Sequence, residues 1–188
     1  MTKKIAFALL FLSLTFSANA QNWWGTNKKI KGNGNIVTVK RSTDDYKGIA
    51  AGGSFDVILV KGTEGNITIE GEENIIPYIE TEINNGILKI KYKKNTNIRT
   101  TKRLTVTIPF TDIESVALGG SGNVTSNDVI KSNNLNVSLG GSGNINLKIN
   151  SDDVNTNIGG SGNIDLKGNT EELKCAIAGS GSIRAYDL

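Results

Sequence analysis

Ser121, Ser142 and Ser161 each stand in the phrase Gly-Gly-Ser-Gly-Asn, and Ser180 stands in a worn copy, Ala-Gly-Ser-Gly-Ser. A serine among glycines invites three chemistries, and each fails on its neighbours. A phosphate loop ends in Gly-Lys-Ser/Thr, so that a lysine reaches the phosphates. Here the phrase runs on to Gly-Asn-Ile or Gly-Asn-Val. A nucleophile elbow needs Gly-x-Ser-x-Gly with a histidine base. Asn123, Asn144 and Asn163 break the pattern, and the chain holds no histidine. A calcium-binding nonapeptide needs Asp at its sixth place, where Val124, Ile145 and Ile164 stand; Asp165 comes one place late.

Other reactive groups are few. Asp152 and Asp153 are the carboxylates that polysaccharide chemistry would call on, but neighbours on one strand point to opposite faces. Cys175 is the only cysteine, so no intrachain disulfide can form, and its place in an apolar alternation predicts a small buried hydrophobe. Without histidine, histidine-based zinc sites and Cys-His nucleophiles are excluded. Lys91, Lys93, Lys94, Arg99, Lys102 and Arg103 form a basic run without an acid. It suits an anionic polysaccharide or lipid headgroup, or simply a solvated hairpin tip. Trp23 and Trp24 suit a sugar ring or, more often, the cap of an open apolar end. The residues point to no catalytic group, no cofactor and no metal.

The elements that carry the glycine phrase explain it better than chemistry does. Its copies begin at Gly119, Gly140, Gly159 and Ala178, spaced 21, 19 and 19 residues apart. A period near 20 marks a stacked repeat architecture. Period-2 alternation flanks each copy: Leu135, Val137 and Leu139 before the second, Ile145, Leu147 and Ile149 after it. Each repeat therefore reads as two short strands around a corner. Superposed repeats align Leu135 with Val154 and Leu173, Val137 with Thr156 and Cys175, and Leu139 with Ile158 and Ile177. Beyond the corner, Ile145 aligns with Ile164 and Ile183, and Leu147 with Leu166 and Ala185. These columns predict inward ladders about 4.8 Å apart in a β-solenoid.

The corner motif is expected to be structural: Gly120, Ser121, Gly122 and Asn123; Gly141, Ser142, Gly143 and Asn144; Gly160, Ser161, Gly162 and Asn163; Gly179, Ser180 and Gly181. Its glycines are expected to supply positive φ at a sharp turn. Its asparagines are expected to stack into an amide ladder that ends at Ser182.

Residues 1–20 read as a signal peptide. Lys3 and Lys4 precede an apolar core, Ile5 to Phe16, and Ala18-Asn19-Ala20 is a small-x-small cleavage site. The apolar stretch is too short to span a bilayer, which takes about 20 residues. The remaining chain, 21–188, reads as one domain, because no linker divides it. Loss of Lys3 and Lys4 leaves 19 basic against 18 acidic groups, a balance that argues against a nucleic-acid partner.

Ahead of the repeats, Ile36, Val37 and Val39 predict a strand, and Gly52-Gly53-Ser54-Phe55-Asp56-Val57 reads as a first rung. The stretch from Ile58 to Phe110 reads as an antiparallel excursion. Its strands hold Val57 and Leu59, Ile67 and Ile69, Ile83, then Ile87 to Ile90, and a last one at Leu104, Val106 and Ile108 stopped by Pro109. Asn84-Asn85-Gly86 predicts a hairpin turn, and Pro77 a loop or single helical turn.

The leader, the Gly-Gly-Ser-Phe-Asp-Val opening and the repeated Gly-Ser-Gly-Asn-Ile corners together resemble the putative autotransporter-adhesin head GIN domain family, from about Ile36 to Leu188. That resemblance implies an all-β right-handed parallel β-helix with an antiparallel portion, in an exported envelope protein with no accepted catalytic residues. It implies a secreted, non-enzymatic adhesin-like binding or scaffold protein of the periplasm, outer-membrane surface or extracellular space. Its partner would be an extracellular ligand, a glycan or a surface protein, met on outward residues such as Asn136, Asn146, Lys148 and Asn155. Members of the family continue for one or two further turns, so the last coil here is expected to be uncapped and open to self-association through the stack ends. The rival readings are a polysaccharide lyase or hydrolase on a β-helix and a self-assembling envelope protein.

Overall fold

The computed structural model describes residues 28–188; the leader and the two tryptophans lie outside the described residues. The strands are β1 (Lys28–Lys31), β2 (Ile36–Ser42), β3 (Gly48–Gly52), β4 (Asp56–Lys61), β5 (Asn66–Glu72), β6 (Ile79–Asn84) and β7 (Ile87–Tyr92). There follow β8 (Thr96–Arg99), β9 (Thr105–Phe110), β10 (Ser115–Leu118), β11 (Asn123–Leu139), β12 (Asn144–Ile158), β13 (Asn163–Ile177) and β14 (Ser182–Asp187). Twelve strands form one mixed sheet that curls into a half-barrel, and β1 and β8 form a separate two-stranded ribbon.

The repeats stack in parallel, in the register their alignment predicts. Leu135 lies opposite Val154 and Val154 opposite Leu173; Leu139, Ile158 and Ile177 follow in the same way. The first rung is also in place: Asn123 pairs with Asp56 and Val124 with Val57, while β10 lies between β3 and the second half of β11. Val57, Val124, Ile145 and Ile164 are each at most 1 % exposed, so hydrophobic burial runs through the stack without a break. Thr156 is the polar member of these columns, and its hydroxyl donates to the Lys174 carbonyl at 3.1 Å.

The repeat spacing of 21 rather than 19 residues has a local cause. Thr125 pairs with Asn146 and Val129 with Lys148, so Ser126, Asn127 and Asp128 stand opposite the single residue Leu147. This bulge breaks the ladder, and side chains repair it. Ser126 Oγ accepts from Lys148 N at 2.7 Å, and Asp128 Oδ2 accepts from Lys61 N at 2.8 Å.

Several expectations need correction. Each repeat is one long strand bent midway, not two separate short ones. The alternation of buried residues in β12 slips one place at Asp152–Asp153, from Ser151 to Val154. The excursion is not purely antiparallel: the strands holding Val57/Leu59 and Ile67/Ile69 flank a turn but do not pair, because β9 lies between them, parallel to β4 and antiparallel to β5. Pro109 does not stop β9, which runs to Phe110. Past Thr107 the antiparallel pairing with β5 stops, so the missing proline N–H costs no ladder bond on that side. After Arg184 the register slips and Lys167 meets Asp187, so Ala185 and Tyr186 together stand opposite Leu166, the place expected of Ala185 alone. Ribbon strand β1 had no signal in the polar Gln21–Gly34 stretch; it exists by pairing with β8. The turn at Asn84–Gly86 does form, with Asn85 at φ 51° and Gly86 at φ 72°, and Ile76–Tyr78 is a single 3-10 turn.

Candidate functional site

The corner glycines are required for closeness, not for positive φ. Of the corner motif only Gly179 has positive φ, 152°. A Cβ built on Gly141 would lie 2.1 Å from Gly120 O, and one on Gly160 would lie 2.2 Å from Gly141 O. The second glycine column behaves alike: a Cβ would lie 2.0 Å from Phe55 O if built on Gly122, 2.1 Å from Gly122 O on Gly143, 2.0 Å from Gly143 O on Gly162 and 2.2 Å from Gly162 O on Gly181. Each corner therefore rests its Cα atoms on the carbonyls of the one beneath. The leading glycines differ. Gly140 and Gly159 have nothing within 4 Å of a Cβ, and it is at this place that the last copy carries Ala178.

Close stacking also sets the corner hydrogen bonds. Gly120 O accepts from Ser142 N at 3.0 Å and Gly143 N at 3.1 Å, and Gly141 O accepts from Ser161 N at 3.0 Å and Gly162 N at 3.2 Å. The side chains of Ser121, Ser142, Ser161 and Ser180 are exposed, with no base beside them.

Next to the serines, the asparagines form a directional amide ladder. Asn163 Nδ2 donates to Asn144 Oδ1 at 3.0 Å, Asn144 Nδ2 to Asn123 Oδ1 at 3.0 Å, and Asn123 Nδ2 to Asp56 Oδ1 at 2.7 Å. Ser182 Oγ donates to Asn163 Oδ1 at 2.6 Å at the other end. All the dipoles point toward the Asp56 carboxylate, which also meets Arg103 at 3.4 Å. Hydrogen bonds in such a chain polarise one another. Each amide keeps a second N–H for an outside partner.

A second outward row runs beside the ladder: Thr107, Ile58, Thr125, Asn146, Asp165 and Arg184. Arg184 Nη1 donates to both oxygens of Asp165, at 3.1 and 3.3 Å. Between the rows, Asp56, Arg103, Asn123, Thr125, Asn127 and Asn146 line an open cleft of about 270 Å³. A larger polar cleft, about 550 Å³, lies where the midway bends meet the start of β10, with Lys47, Asp112, Glu114, Lys131 and Asp152 on its walls.

The outward residues expected to act together fall into two pairs. Asn136 and Asn155 are cross-strand partners beyond the midway bend, whereas Asn146 and Lys148 lie before it. Asp152 is exposed and Asp153 half-buried; the Asp152 carbonyl accepts from Thr170 Oγ1 and the Asp153 carbonyl from Ser151 Oγ, each at 3.1 Å, and Ser151 Oγ also meets Ser132 Oγ at 3.1 Å. No group of three His, Cys, Asp or Glu able to hold a metal occurs among the described residues. Cys175 is exposed, contrary to expectation, and Ile177 is 48 % exposed. Both face inward in register, but no strand of the described residues covers that part of β13.

Sequence reasoning missed Glu72, a buried carboxylate 1 % exposed. It accepts from Gly34 N at 2.7 Å, Thr101 N at 2.8 Å, Thr101 Oγ1 at 2.6 Å and Lys102 N at 3.3 Å. Burial alone would raise its pKa, but these donors together outweigh it and hold the carboxyl down at about 2. Its sequence setting, Ile-Glu-Gly-Glu-Glu, gives no hint, because its donors come from two distant loops.

The family model for the putative auto-transporter adhesin, head GIN domain, matches residues 45–188. The chain belongs to this family. Solved structures share its fold. A protein named a putative lipid binding protein from Parabacteroides distasonis is 27% identical, with 85% of this chain and 77% of that one covered and a TM-score of 0.75. A putative adhesin from the same species is 21% identical, covering 86% and 77%, with a TM-score of 0.63. A putative adhesin from Parabacteroides merdae is 18% identical, covering 84% and 99%, with a TM-score of 0.53. No curated protein matches. Among the described residues no helix is long and apolar enough to cross a membrane.

Proposed function

We propose that this head GIN chain is a non-enzymatic, adhesin-like binding module that is exported by its leader and works at the cell surface or outside the cell. In this reading the repeats wind as coils of a right-handed parallel β-helix, and the corner motif is the structural seam that lets them stack. The observation that carries it is the pinned amide ladder. Asn123, Asn144 and Asn163 are held in one orientation with a spare N–H each, beside a polar row at strand spacing, about 4.8 Å. Such a grid is organised before a ligand arrives, which lowers the entropy lost on binding. It suits an extended extracellular partner rich in hydroxyl or carbonyl oxygens, such as a glycan.

The relative named for lipid binding supports a second class of partner. The clefts described above are lined with polar side chains, so a lipid would be met at its headgroup. The test is a screen of the chain from Gln21 onward on glycan and matrix-protein arrays, followed by titration of Asn144→Ala. A ligand that binds the parent and at least about tenfold less to the variant supports the reading. Absence of any ligand, or turnover of a polysaccharide, would end it.

A further inference from the structure

The sequence shows one basic run, residues 91–103; the fold sets a second against it. Strand β1 lies parallel to β8, with Lys29 opposite Asn97, Ile30 opposite Ile98 and Lys31 opposite Arg99. Alternation turns Ile30 and Ile98 toward the body, where they are buried and half-buried. Lys29, Lys31, Asn97 and Arg99 share the opposite face, and all are exposed. Lys31 and Arg99 are thus like charges placed directly across from each other, which costs stability.

The other cations of the run divide sharply. Lys91 is neutralised by Glu82 at 2.7 Å, and Arg103 by Asp56 at 3.4 Å. The charged side-chain nitrogens of Lys29, Lys31, Lys93, Lys94, Arg99 and Lys102 have no carboxylate oxygen within 4.0 Å among the described residues. Residues 1–27 hold no Asp or Glu to supply one. Glu72 and Glu73, which touch the adjoining loop through Gly34 and Asn35, are engaged there. The ribbon is anchored at its root by Tyr78, whose hydroxyl accepts from Lys28 Nζ at 2.8 Å and whose ring lies 5.9 Å from Lys93 Nζ. No residue of β1 or β8 lines the clefts of about 550, 310, 270 and 240 Å³.

We propose that the β1–β8 ribbon docks the protein on an anionic lipid surface, with Lys29, Lys31 and Arg99 against phosphate headgroups and Lys93, Lys94 and Lys102 beside them. A cationic face on an open two-stranded ribbon, outside those clefts, matches an extended array of negative charge better than a small anion. Lysines outnumber arginines, and flexible point charges suit diffuse headgroups, whereas arginine forks suit fixed bidentate partners. A headgroup phosphate between Lys31 and Arg99 would turn their repulsion into attraction. The ribbon is a sheet separate from the one that carries the amide ladder, and the docking uses none of the ladder's asparagines, so it does not depend on the adhesin reading.

The experiment is co-sedimentation with vesicles of phosphatidylcholine, either pure or with about one third phosphatidylglycerol. The chain from Gln21 onward should bind the anionic vesicles, not the neutral ones, and release as salt shortens the Debye length to a few ångströms. The triple variant Lys29→Glu, Lys31→Glu, Arg99→Glu should bind at least about 100-fold more weakly. Lys40→Glu, Lys61→Glu, Lys174→Glu, with the same change in net charge and away from both the ribbon and the clefts, should stay within about threefold of the parent. The single variant Lys31→Glu places a carboxylate opposite Arg99, so it should melt higher than the parent yet bind more weakly; a purely structural ribbon would not separate the two. Binding untouched by the triple reversal overturns the proposal. So does failure to bind anionic vesicles at low salt, or binding only to a soluble sulfated polysaccharide.

Discussion

At the scale of single residues, the corner glycines make a sharp pair of predictions. Gly141→Ala or Gly160→Ala would push a methyl into a carbonyl of the corner below, since the Cβ would lie 2.1 or 2.2 Å from it. Backbone cannot swing aside as a side chain can, so we expect a loss of about 1–3 kcal/mol or more in urea unfolding. Gly140→Ala, with open space around it, should be neutral or slightly stabilising. Equal effects at both places would contradict the close-packing account. Glu72 gives a pH prediction. Its folded pKa of about 2 lies below its ordinary 4.5, so its contribution is complete above pH 4.5. That contribution is lost as pH falls from there toward 2. Glu72→Gln should cost about 1.5–3 kcal/mol at neutral pH, the range for hydrogen bonds to a charged group. It should also flatten the acid limb of the stability curve. A variant whose acid limb matches that of the parent would remove Glu72 from the explanation.

At the scale of elements, the bulge between Thr125 and Val129 was visible only as an odd spacing. Counting residues shows that one repeat is two longer; it does not show where the excess goes. The choice falls at Ser126 because its hydroxyl replaces the lost ladder acceptor for Lys148 N, and Ser126 is 3 % exposed. Ser126→Ala leaves that buried N–H unpaired and should cost about 1–3 kcal/mol, read from denaturant midpoints. A change under about half a kcal/mol would mean that the bulge finds another acceptor. The amide ladder, by contrast, was legible, because a polar residue at a fixed place in each 19-residue repeat must sit above its counterpart. Its lower end was legible in part: the first-rung reading puts Asp56 at the asparagine place but does not bring Arg103 beside it. That Asp56 collects the ladder's dipoles and meets Arg103 depends on where the first rung lies under the second.

At the scale of the whole molecule, a stack held by neighbour contacts should not be uniformly stable. Strand β12 is covered on both sides along most of its length, β11 is covered on the side away from β12 only at Asn123–Ser126 and Asn136–Leu139, and β14 covers β13 only from Asn163 to Lys167. Amide hydrogen exchange should therefore be slowest in β12 and fastest in the Thr170–Ile177 part of β13. Protection as strong there as in β12 would show that something else covers this edge, such as a second copy. The exposure of Cys175 follows from the same uncovered edge. An inward direction was readable from alternation, but burial depends on whether another strand lies above, which is not a local property.

The amino-acid order alone determined the parallel register of the repeats, their apolar columns and the amide ladder. A periodic chain can bury its alternating faces and satisfy its backbone only by placing like upon like. It also determined the hairpin at Asn85–Gly86, where local backbone geometry leaves little choice. Tertiary structure alone decided the remainder: β9 between β4 and β5, the β1–β8 ribbon with Lys31 facing Arg99, the Glu72 clamp and the exposure of Cys175. These join segments far apart in the chain, and no periodicity links them. Their contact depends on how the sheet curls and on which edge remains free to pair.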